Sequence, residues 1–180
     1  MIQKPTYTEE NSHEEGAASV WNDTPDVLLK LYTLRENPGV FTSLKNDGIT
    51  LKCVMPMNIS PVYQFISEHF AKSFADECMP ALIGGDCFVA VRGREIVGFA
   101  AVDSTARGFM GPMGVLPKER KKGIATALFI TMCKRMREKG YRYGIAGMIS
   151  ASMKSIMEGV CDCIPIPDSR DSYQDMIRGL

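Results

Sequence analysis

Four cations stand directly before a glycine in the segment PKERKKGIATALF, which spans residues 117–129 and continues as an apolar run with helical spacing. The N-terminus of a helix is already positive, so each cation placed there costs about 0.3–1 kcal/mol unless an anion compensates it. The free N–H groups of a first helical turn bind anions, and a glycine lets a bulky phosphate approach the backbone. The segment favours a phosphate-binding helix N-terminus over a solvated basic turn. The cations are Lys118, Arg120, Lys121 and Lys122, and the glycine is Gly123.

Other phosphate-binding motifs fit this sequence poorly. There is no G-x-x-x-x-G-K-[ST] segment, and the glycines of GFMGPMG (residues 108–114) have neither dinucleotide spacing nor a helix at their end. The chain carries 21 basic and 21 acidic residues, a balance that argues against general binding to nucleic acid or to anionic membranes. We therefore expect a local anion site, with no nucleic-acid partner and no membrane partner.

Two features of the composition bear on where the protein works. No apolar run approaches the roughly 18–20 residues that span a bilayer, and the first residues lack the apolar core of a secretory signal. The six cysteines are scattered, several of them in apolar runs, which suits reduced thiols in a cytoplasm. Cys161 and Cys163 form a close pair, but no second cluster in the sequence completes a ligand set, so we expect no metal site.

The neighbouring residues predict the elements that must position the basic segment. Two apolar runs, CFVAV and EIVGFAAV, flank Arg92-Gly93-Arg94 and predict a hairpin inside a covered sheet. A further strand is expected over residues 106–117, where Gly111-Pro112 indicates a bulge because proline cannot donate to a ladder. A helix should run from Gly123 to a stop at Gly140. Its inward positions are Ile124, Leu128, Met132 and Met136.

The flanking segments complete the predicted order of elements. Residues 1–20 are polar and acidic and predict a disordered tail, and residues 21–48 predict an N-terminal helical extension. The helix of that extension should begin at Thr24-Pro25-Asp26 and end at Asn37-Pro38-Gly39. Its apolar stripe is Val27, Leu28, Leu31 and Leu34. The main domain is expected over residues 49–180. Its remaining strands are expected over 49–57, 141–149 and 160–166, and its remaining helices over 60–80 and 152–158.

The residues around Gly123 resemble a known family. Arg120-Lys121-Lys122-Gly123-Ile124-Ala125 matches the R/Q-x-x-G-x-G/A signature of the GNAT superfamily, the acyl-CoA-dependent N-acyltransferases. Val115-Leu116-Pro117, the helix after the loop and the upstream hairpin stand in the family's order, so the resemblance covers residues 49–166. It implies an α/β (α+β) fold. The sheet would be mixed, mostly antiparallel and of six or seven strands, with helices on both faces and a splay caused by the bulge at Gly111-Pro112.

The resemblance also implies where a coenzyme A thioester would bind. Backbone N–H groups of the signature would hold the pyrophosphate, and Thr126 would lie within reach of the same phosphates. Main-chain groups of Met113, Gly114 and Val115 would contact the pantetheine arm, which would lie alongside like an added strand. Acetyl-CoA is therefore the expected cosubstrate. The pyrophosphate-binding residues are Arg120, Lys121, Lys122, Gly123, Ile124 and Ala125.

The implied chemistry is direct transfer. An amine attacks the thioester carbonyl, an oxyanion forms and the thiolate leaves, while strand N–H groups such as that of Met113 polarise the carbonyl. Many family members protonate the leaving sulfur with a tyrosine on the helix after the fifth strand. Here that helix reads SASMKSIMEG, has no tyrosine, and offers Lys154 or Met153 at the matching position.

Four further polar residues have two interpretations each. Asp103 ends a strand and would either bind an amine or cap a turn. Tyr143 and Tyr173 would either reach the cleft or lie buried with a satisfied hydroxyl. His69 stands among phenylalanines, which favours packing over a role as a base. The residues that we take as catalytic candidates are Lys154, Asp103 and Tyr143.

Three functions remain open on the sequence. The leading one is an N-acetyltransferase that moves an acetyl group from acetyl-CoA to a primary amine of a small molecule or protein, because direct attack needs only positioning. The second is a catalytically weak relative that binds acyl-CoA as a sensor or structural ligand. The third is another kind of nucleotide- or phosphate-binding module. The acceptor pocket is expected from the helices over 60–80, the loop at Asp103 and the C-terminal segment, in a monomer or homodimer.

Overall fold

Seven strands and five α-helices are described over residues 25–174, the part of the chain that the computed structural model describes. The described strands are β1 (Val27–Lys30), β2 (Ile49–Cys53), β3 (Cys87–Arg92), β4 (Glu95–Val102), β5 (Met110–Val115), β6 (Tyr143–Ala146) and β7 (Asp162–Pro165). The α-helices are α1 (Pro38–Asn46), α2 (Ile59–His69), α3 (Lys72–Gly84), α4 (Ile124–Glu138) and α5 (Ala151–Val160). The predicted mixed α/β architecture is confirmed. The tail predicted over residues 1–20 lies outside the described residues.

The strands form two antiparallel sheets, one in the order β2-β3-β4-β5 and the other in the order β6-β1-β7. Within the described chain, the sheets meet at one parallel bridge between Phe109 and Ile145. There the Ile145 N–H donates to the Gly108 carbonyl at 2.8 Å. The expected central sheet is thus divided between β5 and β6.

The hairpin and the bulge were both predicted, and both are confirmed. β3 and β4 pair around Gly93, whose φ of 60° is accessible to glycine at little cost. In the pairing of β4 with β5, Ala100 lies opposite Met113 and Val102 lies opposite Met110. Gly111 and Pro112 therefore lie opposite a single residue of β4, Ala101. Two residues opposite one is the pattern of a bulge.

The helix predicted from Thr24-Pro25-Asp26 to Asn37-Pro38-Gly39 is wrong. Val27–Lys30 is the strand β1, and Leu29 lies opposite Gly144 of β6 and Cys163 of β7. The apolar spacing fits both periods, because Val27, Leu29 and Leu31 also alternate as in a strand, and all three are buried. Backbone pairing of this segment with β6 on one side and β7 on the other decides for the strand over the helix. β1 therefore belongs to a sheet and not to a helical extension.

Asn37-Pro38-Gly39 was predicted to stop a helix and instead starts one. The Asn37 side chain accepts the Val40 N–H at 3.2 Å, and Pro38 occupies the first turn of α1. Asparagine at the cap and proline just after it are the usual start of a helix. The prediction over residues 37–39 therefore recognised the breaker residues but assigned them to the wrong end.

The other boundaries differ by a few residues. β2 ends at Cys53, short of the predicted strand over residues 49–57. The helical stretch predicted over residues 60–80 is two helices, α2 and α3, and α3 continues to Gly84. Gly85 caps the end of α3 with a left-handed φ of 75°. The helix predicted after Gly123 is confirmed as α4, and its four expected inward residues are buried.

Helix α4 packs against β3, β4 and β5 and carries much of the buried core. Phe129, Leu128 and Ile130 are each at most 1% exposed, as is Phe99 on β4. Burying a side chain of this size stabilises the fold by about 1.5–3 kcal/mol. The start of α4 is therefore anchored by the core behind it. No helix within residues 25–174 has the length and apolar composition needed to cross a bilayer.

A group of charges connects the C-terminal end of α4 to the residue before β3 and to the loop after β4. Lys139 lies 2.5 Å from Asp86 Oδ2 and 2.5 Å from Asp103 Oδ2. Arg135 Nε donates to Asp86 Oδ1 at 2.7 Å. Burial alone lowers the pKa of Lys139, but its bonds to Asp103 and Asp86 outweigh this and raise it. The ammonium therefore stays charged between two carboxylates that are mostly buried.

Lys139→Met should destabilise the fold by about 3 kcal/mol, because it leaves two poorly solvated carboxylates without a shared cation. Chemical denaturation followed by circular dichroism measures this loss. Lys134→Met is the matched control on the same helix, since its exposed pair with Glu36 at 3.3 Å should contribute less than about 1 kcal/mol. Equal losses from the two variants would contradict a structural role for the Lys139 cluster.

Candidate functional site

The basic segment connects β5 to α4. A short 3-10 turn over Pro117–Glu119 follows β5, and Lys121 and Gly123 then adopt left-handed φ values of 61° and 85°. The first bond of α4 runs from the Ala127 N–H to the Gly123 carbonyl at 3.0 Å. The N–H groups before Ala127 in the first turn therefore have no acceptor in the preceding turn, and glycine offers no side chain to cap them. The geometry suits an anion.

Gly123 is also required by the fold, which the sequence did not indicate. A Cβ at this position would lie 2.7 Å from Cγ2 of Val40 on α1. The left-handed φ adds a second penalty for any other residue. A larger residue at Gly123 would therefore disturb the packing of α1 on α4 as well as any ligand.

Glu119 compensates part of the positive charge, and sequence reasoning missed it. Its carboxylate is mostly buried and accepts hydrogen bonds from Arg92 Nη2 at 2.8 Å and from Lys122 Nζ at 2.9 Å. Arg92 Nη1 also donates to the Asp47 carbonyl at 2.7 Å. The bonds from Arg92 and then Lys122 lower the pKa of Glu119 below its ordinary value. Lys122 is therefore already neutralised in this structure.

The other three cations of the segment differ in their surroundings. Arg120 Nε donates to the Val115 carbonyl at 3.3 Å, which turns its side chain back toward β5. Lys118 and Lys121 are exposed and form no ion pair with any residue from 25 to 174. A carbonyl does not neutralise a guanidinium, so the charge available to a ligand comes from Lys118, Arg120, Lys121 and the backbone N–H groups.

One edge of β5 faces an opening, which is the unpaired interval between β5 and β6 beyond the bridge from Phe109 to Ile145. Met113, Gly114 and Val115 pair with Ala100, Phe99 and Gly98 of β4. On its other side, β5 has no ladder with β6, whose described ladder partner is β1. The main chain of Met113, Gly114 and Val115 is thus held in register by β4 while its second edge is left for another extended chain.

Gly114 is needed for packing beside this edge. A Cβ on Gly114 would lie 2.7 Å from the Phe99 ring and would collide with Cε1 of the Phe70 ring. The two rings meet edge to face with 5.0 Å between their centroids. The contact positions α2 against β4 and β5, and it leaves no room for a side chain.

A cavity of about 430 Å³ lies beside the first turn of α4 and opens between α4 and α5. It adjoins Thr126, one of the residues expected to reach the phosphates. Its lining residues are Arg35, Glu36, Asn37, Thr126, Ser155, Ile156, Gly159 and Val160. A second cavity of about 440 Å³ lies along the edge strand β2 and shares no lining residue with the basic segment.

The catalytic candidates are not brought together. Lys154 lies on α5 with 58% of its side chain exposed, 4.0 Å from Glu158 one turn further on. Tyr143 is 47% exposed and stacks edge-on with Tyr32 at 5.7 Å between ring centroids. Tyr143 also precedes the bridge at Ile145, so it lies outside the part of β6 that has left β5.

Asp103 acts as a turn cap. Its carboxylate accepts the Gly108 N–H at 2.7 Å and the Tyr141 hydroxyl at 3.2 Å, in addition to its pair with Lys139. Burial raises the pKa of Asp103, but the bonds from Lys139 and Gly108 outweigh burial and lower it. Of its two interpretations, the structure supports the cap. His69 packs against Phe65 at 5.1 Å between ring centroids, as expected.

Asp26 is a second residue that sequence reasoning missed. It was read as an acid at a helix start, but it is 4% exposed and accepts the Tyr173 hydroxyl at 2.8 Å. No local pattern could reveal this pair, because its members lie at opposite ends of the described chain. As for metals, no group of three or more His, Cys, Asp or Glu residues within 25–174 is placed to hold one.

Comparison with known proteins now decides the family. Residues 59–154, slightly more than half of the chain, match the model of the acetyltransferase (GNAT) family. The chain belongs to this family. No curated protein matches it.

Three solved structures with a similar fold are distant from this GNAT chain in sequence. A glucosamine N-acetyltransferase region of a fungal multi-domain β-N-acetylglucosaminidase is 12% identical with a TM-score of 0.65, covering 79% of this chain and 19% of that one. An N-acetyltransferase from Sphaerobacter thermophilus is 16% identical with a TM-score of 0.55, covering 78% and 48%. An agmatine N-acetyltransferase is 14% identical with a TM-score of 0.52, covering 63% and 81%. The GNAT chain thus spans less than half of the first two, and the likeness concerns the fold alone.

Glu119→Gln should lower the free energy of unfolding in a pH-dependent way. Because folding lowers the pKa of Glu119, its carboxylate stabilises the fold above the unfolded pKa of about 4.3, and this contribution is lost as pH falls through the lower folded value. The variant should therefore be less stable than the parent at neutral pH and approach it in acid. Urea denaturation across the pH range measures the difference. Glu95→Gln in the exposed hairpin is the control, and a deficit for Glu119→Gln that persists unchanged into acid would exclude the proposed charge pairing.

Proposed function

We propose that the protein is an N-acetyltransferase that moves an acetyl group from acetyl-CoA to a primary amine by direct attack. The observation that carries this proposal is the continuous path from the free edge of β5 through the basic segment to the uncapped first turn of α4. The free edge of β5 suits an extended pantetheine arm, and the uncapped first turn of α4 suits a pyrophosphate. Membership of the acetyltransferase family supports the same reaction class.

The cosubstrate is assigned to that path. Backbone N–H groups over residues 120–125 would hold the pyrophosphate, with Lys118 and Lys121 adding charge and Thr126 a hydroxyl. Met113, Gly114 and Val115 would offer main-chain groups to the pantetheine arm, in the manner of an added strand. Since Arg120 occupies the Val115 carbonyl at 3.3 Å, the arm would use that oxygen only if Arg120 turned to the phosphates.

The reaction needs few side chains. The amine nitrogen attacks the thioester carbon, the carbonyl oxygen becomes an oxyanion, and the nitrogen loses one proton to solvent. The C=O bond then re-forms as the C–S bond breaks and the thiolate leaves. The Met113 N–H is the proposed donor to the oxyanion. Lys154 is given no step, because its ammonium is exposed beside Glu158, and the thiolate would take its proton from solvent. Positioning of the amine is then the main source of rate.

A second candidate is an acyl-CoA sensor without turnover. The observation that favours it is the side-chain chemistry of α5, which carries no tyrosine and whose one lysine points into solvent. Such a protein would bind acetyl-CoA through the same path. The two candidates differ only in whether an amine accelerates release of coenzyme A.

Acetyl-CoA and coenzyme A should raise the melting temperature more than ATP or NAD at the same concentration, since a ligand that binds only the folded state stabilises it. With acetyl-CoA bound, a panel of primary amines that includes agmatine and glucosamine should release free thiol faster than buffer does. Equal thermal shifts from all four nucleotides would indicate a generic phosphate site. Selective binding of acetyl-CoA without any amine-dependent release would identify the sensor.

Arg120→Ala should weaken coenzyme A binding by about 1–3 kcal/mol, the size of a lost charge-assisted hydrogen bond. Titration calorimetry at low and moderate salt measures both the loss and its screening. Arg94→Ala is the matched control, because it removes the same charge from the exposed β3–β4 turn. A loss shared equally by the two variants would point to long-range attraction and away from a contact at Arg120. Gly123 is unsuited to this test, since its replacement also disturbs Val40.

A further inference from the structure

A hydrogen-bonded pair of a half-buried tyrosine and a buried aspartate lies at one end of the three-stranded sheet and has no part in the reaction described above. Asp26, directly before β1, is 4% exposed, and its Oδ2 accepts the Tyr173 hydroxyl at 2.8 Å. The backbone N–H of Asp26 donates to Ser169 Oγ at 2.8 Å. Isolated charges are costly to bury, so a carboxylate here needs a reason beyond packing.

The pair lies against the end of β6 that has left β5. Gly147 directly follows β6, two residues beyond the bridging residue Ile145. A Cβ added to Gly147 would lie 3.0 Å from Asp26 Oδ1 and would collide with the Tyr173 hydroxyl oxygen. The hydroxyl therefore contacts the main chain at the mouth of the opening between the two sheets.

The Tyr173 hydroxyl joins the C-terminal turn to the residue directly before β1. Burial, the bond to Asp26 and the charge of Glu77 on α3 all raise the pKa of Tyr173, against a smaller opposing effect of Arg170. Glu77 in turn accepts the Ser104 hydroxyl through its carbonyl and the Thr105 hydroxyl through its carboxylate. The loop after β4 is thus bound to α3, whose Glu77 charge acts on the Tyr173 hydroxyl. The C-terminal turn, α3 and this loop belong to the segments from which an acceptor pocket was expected.

The hydrogen-bond direction defines what this hydroxyl can do. A tyrosine that donates its proton to a carboxylate keeps its oxygen lone pairs available, so it acts as an acceptor. An attacking amine needs the opposite partner, because its N–H groups donate while its lone pair must point at the thioester carbonyl. An acceptor at the mouth of the opening meets this need.

We propose that the Tyr173 hydroxyl accepts a hydrogen bond from the N–H of the acceptor amine and so directs the amine lone pair toward the thioester. This inference rests on the proposed acetyl transfer. Tyr173 is then a catalytic residue that touches the acceptor, and Asp26 is a positioning residue that fixes the direction of the hydroxyl. No bond is made or broken at either side chain. A purely structural tie between the C-terminal turn and β1 makes different kinetic predictions.

The test uses the full chain saturated with acetyl-CoA and follows thiol release with agmatine, glucosamine and benzylamine as probe amines. Tyr173→Phe keeps the ring and removes the hydroxyl, so kcat/KM for the best probe should fall at least about tenfold while KM for acetyl-CoA stays within about twofold. For Asp26→Asn, kcat/KM should fall less, because the amide oxygen still accepts a hydrogen bond from the hydroxyl. For Asp26→Ala, kcat/KM should fall as far as for Tyr173→Phe.

The matched control is Tyr141→Phe, which removes another tyrosine–aspartate hydrogen bond, the one to Asp103 at 3.2 Å. It should change the melting temperature without changing kcat/KM for the amine. Full kcat/KM in folded Tyr173→Phe would overturn this inference and leave the proposed transferase intact. If the parent protein binds acetyl-CoA but releases no thiol with any probe, the transferase fails and the inference fails with it. Should Asp26→Ala not fold, the comparison of Tyr173→Phe with Tyr141→Phe still decides.

Discussion

Backbone pairing between β5 and β6 stops after the bridge from Phe109 to Ile145, and most of the remaining structure accommodates this separation. A strand that loses a neighbour exposes a row of donors and acceptors, which proteins normally cover or pair. β1 pairs with the opposite edge of β6, since Ile145 pairs with Leu28 there while it bridges Phe109 on the edge that faces β5. On the β5 side the edge is left open, and the bulge at Gly111-Pro112 lies where the two strands part. The opening is therefore built into the backbone and does not depend on any one side chain.

The positive charge of the basic segment, at the end of this opening, is partly balanced by a mostly buried carboxylate. Glu119 lies under the basic segment, where it is shared by Arg92 from β3 and Lys122 from the segment itself. This arrangement keeps part of the cluster in place when no anion is present. A phosphate that binds Lys122 must therefore compete with the mostly buried Glu119 carboxylate for the Lys122 ammonium.

The parts of this fold that were predicted from sequence are those whose cause is local. The hairpin at Gly93, the bulge at Gly111-Pro112 and helix α4 follow from turn chemistry and periodicity over short windows. Strand β1 could not be predicted in this way, since its apolar residues satisfy both periods and its partners are distant in sequence. Glu119 and Asp26 were missed for the same reason. Each looks like an ordinary surface acid until a tertiary partner buries it.

The position of β1 has a consequence for how the chain reaches its native state. Val27 pairs with Ala146 and Pro165, so the central strand of its sheet is synthesised long before either neighbour exists. The four-stranded sheet and its helices are complete in sequence by the end of α4 and can collapse early. The three-stranded sheet can be completed only after β7 has been synthesised, when β1 pairs between β6 and β7. Such long-range closure slows folding and leaves an unpaired, apolar strand exposed on the ribosome, where it is open to chaperones or to pairing with another chain.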